Sequence, residues 1–172
     1  MDDAGGTQIS VEALYLLKRL GLTTRRTLQA ILWTSEEVGL VGVADYVKRH
    51  DSELGNFSAV FESDSGAFYA TGLDFAGTEE AGCIVYEILK LLAPWGLNEY
   101  EKFNRVSSDI TMLQDKGVPG VSLRHNNDNY FWYHHTEADV LTVLDTDELD
   151  RCLAVWAASS YVLANLQDPL PR

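Results

Sequence analysis

Two short apolar runs, TLQAILWT at 27–34 and FSAVFESD at 57–64, lead directly into carboxylates, and stretches of helical periodicity lie before, between and after them. Apolar runs of this length read as buried strands. Strands that alternate with amphipathic helices restrict a chain to helices packed on the faces of a mainly parallel sheet. The fold expected is therefore α/β, a three-layer sandwich with a mainly parallel central sheet.

The remaining punctuation fits that scheme. Ser10 is a candidate cap for a helix through VEALYLLKRL, stopped at Gly21. EVGLVGVADYVKRH reads as a helix weakened by two glycines, and TGLDFAG as a short strand or edge segment. Ala81, Ile84, Val85, Ile88, Leu91 and Leu92 mark a helix ended by Pro94. SDITMLQDKG predicts a short helix, VPGVSLRH a strand, NNDNYFWYHHTEADV a polar and aromatic loop, and 147–167 a closing amphipathic helix with Leu149, Leu153, Trp156 and Leu163. No internal repeat is present.

Composition narrows the function classes. With 172 residues and 46% apolar content, the chain can bury a sizeable core as one domain. Thirteen Lys and Arg against 26 Asp and Glu leave a formal charge of −13, which repels phosphate backbones and anionic lipid. Nucleic acid is not expected as a partner. No apolar run approaches the ~18 residues of a membrane span, and the first residues carry no signal-peptide pattern. Cys83 and Cys152 are expected as buried free thiols. Asn56-Phe57-Ser58 matches the N-glycosylation pattern. The start MDDAGG, two carboxylates and a glycine turn with no preceding element, is expected to lie in the middle of a larger unit.

In open α/β sheets ligands bind outside the carboxyl ends of the strands, so residues just after each apolar run should converge in one crevice. Those residues are Glu36 and Glu37, then Glu62 and Asp64, then His134, His135 and Asp139, with Asp2 and Asp3 ahead of the first helix. Carboxylates gathered there would repel one another by roughly 4 kcal/mol per close pair at an effective dielectric of 20. Cations must compensate, and Asp, Glu and His donors without cysteine suit Zn²⁺ and similar ions. Other readings stand beside this one. Glu36 and Glu37 could open a helix capped by Thr34 or Ser35. His134 and His135 could belong to a polar loop, Glu62 could be a solvated strand end, Asp109 a helix N-cap, and Asp3 a brace for the turn at Gly5 and Gly6.

TSEEVGLVG, FESDSG and YHHTEAD, in that order with MDD ahead of them, resemble the co-catalytic zinc aminopeptidases and carboxypeptidases of the aminopeptidase clan. The resemblance covers nearly the whole chain. It implies that Asp2 bridges two zincs, that Glu37 and His135 complete one of them, that Asp64 binds the other, and that Glu36 is the general base toward metal-activated water. It further implies an exopeptidase acting on dipeptides or short peptides, a substrate pocket near Asp109 and His134, a secreted or lysosomal location consistent with Asn56, and a homodimer. The family has a further histidine ligand in a His-x-Asp motif upstream of the bridging aspartate. None of His50, His125, His134 or His135 stands in that position. The chain is thus expected to be the C-terminal part of a catalytic domain, N-terminally truncated, holding one zinc of two. A single-zinc acyltransferase of the glutaminyl cyclase type and a non-catalytic interaction module are the alternative functions.

Overall fold

The computed structural model describes all 172 residues, Met1 to Arg172. Six α-helices are present: α1 (Ala4–Arg19), α2 (Val41–His50), α3 (Glu79–Lys90), α4 (Thr111–Gln114), α5 (Tyr130–Tyr133) and α6 (Thr146–Asn165). Four strands, β1 (Val60–Glu62), β2 (Ala70–Ala76), β3 (Glu99–Phe103) and β4 (Gly120–His125), form one sheet in the order β1-β4-β2-β3. β4 runs parallel to β1, and β3 runs parallel to β2. The β2–β4 pair between them is antiparallel, with Leu73 opposite Leu123 and Phe75 opposite Val121.

Side chains that alternate along the strands supply two cores, as a period of 2 requires. Phe61, Leu73, Phe75, Val121 and Leu123 pack with Ile9, Ala13 and Leu17 of α1, Val85 and Leu89 of α3, and Val155, Trp156 and Leu163 of α6. Val60 and Ala76 project to the other face and meet Val43 of α2, Leu113 of α4, Leu54, Ile110 and Val118. This is the three-layer sandwich expected from the alternation of strand and helix. Away from α2 and α4 the second face is polar: Arg124 reaches Asp74 at 2.7 Å, Glu101 at 3.0 Å and Glu99 at 3.2 Å, a fork that ties β4 to β2 and β3.

Several elements depart from the expected boundaries. α1 opens at Ala4, not after Ser10, because the Asp3 carboxylate accepts from the Gly6 amide at 3.0 Å and caps the helix. α3 ends at Lys90, and Pro94 sits in a separate 3₁₀ turn, Ala93–Trp95. The tract 27–33 forms no strand: none of its residues makes a backbone–backbone hydrogen bond. β3 was not foreseen. The aromatic loop contains the single turn of α5. Cys152 is buried and Cys83 exposed; both are free thiols. No helix is long and apolar enough to cross a membrane.

Candidate functional site

The site is built on the ends of the two acidic runs, the turn before α1, and the loops around α4 and α5. α1 begins very close to the segment after β1: a Cβ on Gly6 would lie 1.7 Å from the Ser63 carbonyl oxygen. Only glycine permits this approach, which brings Asp2 and Asp3 beside Glu62 and Asp64.

Asp2 is almost enclosed, its side chain 5% exposed. Oδ2 accepts the Tyr130 hydroxyl at 2.8 Å and lies 3.5 Å from Nε2 of His134. The backbone amide of Asp2 donates to Oδ1 of Asp139 at 3.2 Å. Burial raises the Asp2 carboxyl above its ordinary range against the pull of the Tyr130 hydrogen bond, and the charge of Asp64 raises it further. Asp3 is pushed up to about 8, first by burial and then by Asp64, Glu62 and Asp2.

Glu36 and Glu37 do not open a helix. Ser35 (φ 62°) and Leu40 (φ 58°) both adopt left-handed backbone, and α2 starts only at Val41. Between Ser35 and Leu40 lies a turn in which the two adjacent glutamates meet different surroundings. Glu37 points outward and meets the His135 ring, Oε2 to Nε2 2.8 Å. Glu36 is half-buried and carries a raised carboxyl, owing first to burial and then to Asp64, Glu37 and Asp2. His135 has φ 59° and stacks on His134 with ring centroids 3.7 Å apart. Non-glycine residues in this region cost about 1–2 kcal/mol each and gather where function needs a special geometry. Ser35, His135 and Ser107 (φ 63°) all carry or adjoin residues of this crevice.

Glu62 is not a solvated strand end. Its carboxylate accepts from the backbone amides of Ser108 (3.0 Å), Asp109 (3.2 Å) and Ile110 (3.2 Å), fixing the turn that precedes α4. Burial raises the Glu62 carboxyl above its ordinary range against the pull of these amides and of the nearby Ser107 hydroxyl, which makes no well-formed hydrogen bond. Asp109 is not a helix cap either: Ile110 holds the cap position, and Oδ1 of Asp109 is buried without a partner. Burial, followed by Glu62, Glu36 and Asp64, pushes its carboxyl up to about 7.

The structure thus gathers Asp2, Glu36, Asp64 and Asp109 into one electrostatic neighbourhood and joins Glu37 to His135. His134 covers Asp2. No three His, Cys, Asp or Glu side chains close on a common point. A polar cleft of about 430 Å³ opens over the Arg124 face of β2, β3 and β4, lined in part by Ser65, Asp74, Arg105, Ser107 and His125; neither Asp109 nor His134 lines it. Asn56 is exposed at the end of a 3₁₀ turn. Tyr130, Glu62 and Asp139 are the site residues whose contacts sequence reasoning missed. All three bond across long sequence separations, which leaves no local signal.

The sequence profile of peptidase family M28 matches residues 1–160. Human Carboxypeptidase Q is 44% identical over all 172 residues, which correspond to 36% of its length, and Xenopus laevis Carboxypeptidase Q is 42% identical over the same share. The chain therefore spans about a third of the curated relatives it matches. A peptidase M28 precursor from Shewanella amazonensis superposes with a TM-score of 0.90 at 32% identity, covering 100% of this chain and 39% of the other. An aminopeptidase from Aneurinibacillus sp. strain AM-1 shares the fold, with a TM-score of 0.75 at 21% identity, covering 99% of this chain and 41% of the other.

Proposed function

Because the chain belongs to peptidase family M28, we propose that its crevice is the zinc-holding and proton-handling part of an exopeptidase that cleaves dipeptides or short peptides. The division of labour between adjacent glutamates carries this reading. Glu37 is committed to His135 at 2.8 Å, whereas Glu36 stays free, half-buried and surrounded by carboxylates that raise its affinity for a proton.

The donor set fits the metal by type. Asp2, Glu37 and His135 would hold one zinc, and Asp2 with Asp64 are two donors toward a second. Zinc at such a site supplies Lewis-acid polarisation of the peptide carbonyl and of water. Glu36 takes the proton from the attacking water on a carboxylate oxygen and returns it to the departing amine. Burial and its acidic neighbours favour the protonated form, which makes Glu36 the stronger base when it is ionised. Asp64 and Asp109 hold the negative field of the crevice in place, and a bound cation relieves it.

A secreted or lysosomal setting fits the exposed Asn56 acceptor, and association of two copies belongs to the same reading of the complete protein. The charge of −13 supports peptide rather than nucleic acid as partner. The test is zinc per chain by elemental analysis on the protein and on a Glu37→Ala, His135→Ala double variant, followed by hydrolysis of dipeptides. About one zinc per chain, lost in the double variant, is expected; equal zinc in both proteins refutes the assignment.

A further inference from the structure

Tyr130 has no part in the reading so far, yet its position is too specific for a core filler. The residue is 6% exposed and opens α5. Its ring is fixed between Phe131 (centroids 5.0 Å, 79°) and His134 (4.7 Å, 33°). Held this way, the hydroxyl has one reachable partner of consequence, Oδ2 of Asp2 at 2.8 Å, a bond that spans 128 positions of sequence. A phenylalanine would fill the same apolar volume without presenting a donor to a buried carboxylate.

A second bond makes the arrangement a grip. Asp139, four residues beyond His135, accepts the backbone amide of Asp2 at 3.2 Å, and its carboxylate also pairs with the amino group of Met1. The loop 130–139 therefore holds Asp2 at both side chain and main chain while it presents His135. One short loop thus bonds Asp2 and carries His135, adding to the placement of Asp2 by the close approach of α1 to Ser63.

We propose that Tyr130 is a positioning residue that aims the Asp2 carboxylate toward its metal, with Asp139 fixing the backbone from which that carboxylate projects. The proposal rests on the reading of Asp2 as a zinc ligand. Partners of this kind orient a ligand and hold it in its ionised, coordinating form, and losing one costs about 10–100-fold in metal affinity. The ring of Tyr130 never touches metal or substrate in this role. It acts through Asp2.

The experiment is zinc affinity by chelator competition on the wild type, Tyr130→Phe and Asp139→Asn, with the visible spectrum of the cobalt(II) form and the metal-free thermal midpoint recorded in parallel. Tyr130→Phe keeps the ring packing and is expected to lower zinc affinity about 10–100-fold and to shift the cobalt bands. Asp139→Asn is expected to act in the same direction and serves if the phenylalanine variant does not fold. A wild type that binds zinc, with both variants binding it equally well, overturns the proposal alone, even if their thermal midpoints fall. A wild type that binds no zinc overturns the proposal and the metal reading together.

Discussion

Nε2 of His135 and Oε2 of Glu37 meet at 2.8 Å, joining the aromatic loop to the turn after 27–33. Both side chains are more than half exposed, 62% and 55%. An ion pair so exposed contributes well under about 1 kcal/mol, so the contact is a poor reason to hold His135 in left-handed backbone. Glu37→Gln and His135→Ala are expected to change the denaturation midpoint little while each removes bound zinc, measured by urea titration and elemental analysis on the same samples.

Asp109 carries a pH dependence of known sign. Its carboxyl stands at about 7 in the folded chain against an ordinary 3.8, so between these values the folded state binds more protons than the unfolded one. Stability contributed by this group is complete below about 3.8 and is lost as the pH rises through about 7. Asp109→Asn is expected to raise the stability of the metal-free chain by roughly 1–2 kcal/mol at pH 8 and to leave it nearly unchanged near pH 4. Urea midpoints at the two pH values with chelator present check this.

Glu62 makes the opposite prediction. Three backbone amides converge on its carboxylate, and without it the left-handed turn at Ser107 loses its support. Glu62→Ala is expected to destabilise the chain by roughly 2–3 kcal/mol and to speed amide exchange at Ser108–Ile110 more than in β4.

Gly6 is sterically closed to any side chain. Gly6→Ala places a Cβ against the Ser63 carbonyl and must separate α1 from the segment that carries Asp64. Loss of more than about 3 kcal/mol is expected, visible as a large fall in thermal midpoint, and zinc binding should fall with it because Asp2 moves with the helix.

The amides of 27–33 accept no shelter from any backbone partner. They are expected to exchange with solvent deuterium far faster than those of β2 and β4, despite their apolar sequence. Mass-resolved hydrogen exchange separates these peptides directly.

The architecture was legible because burial obeys simple periods. Val85 and Ile88 of α3, and Leu163 and Trp156 of α6, announce themselves by spacing, whereas TGLDFAG, read as a short strand or edge segment, is the inner strand β2. β3 escaped because Glu99, Glu101, Lys102 and Phe103 are all exposed on an edge strand paired only with β2, so no alternation marks it. TLQAILWT showed the opposite failure: strand composition is local, whereas a strand needs a partner for its hydrogen bonds, and none lies beside 27–33. The acidic residues of the crevice were grouped by the rule that ligands gather at strand ends, although Glu36 and Glu37 follow a tract that is not a strand. Tyr130 could not be found this way, and neither could the bond that Asp139 makes, because both depend on contacts with Asp2 formed only when the chain is folded.

The unpaired tract at 27–33 gives the crevice uneven foundations. Asp64 follows a strand locked into the sheet, and Asp2 is clamped from two sides, but Glu36 and Glu37 stand at the end of a segment with no ladder beneath it. Positional entropy is therefore concentrated in one arm of the site. Under the proposed function, a cation captured there would gain its contacts from Asp2 and Asp64 at little cost, and most of the loss of freedom on binding would fall on Glu36 and Glu37, the proposed base and ligand.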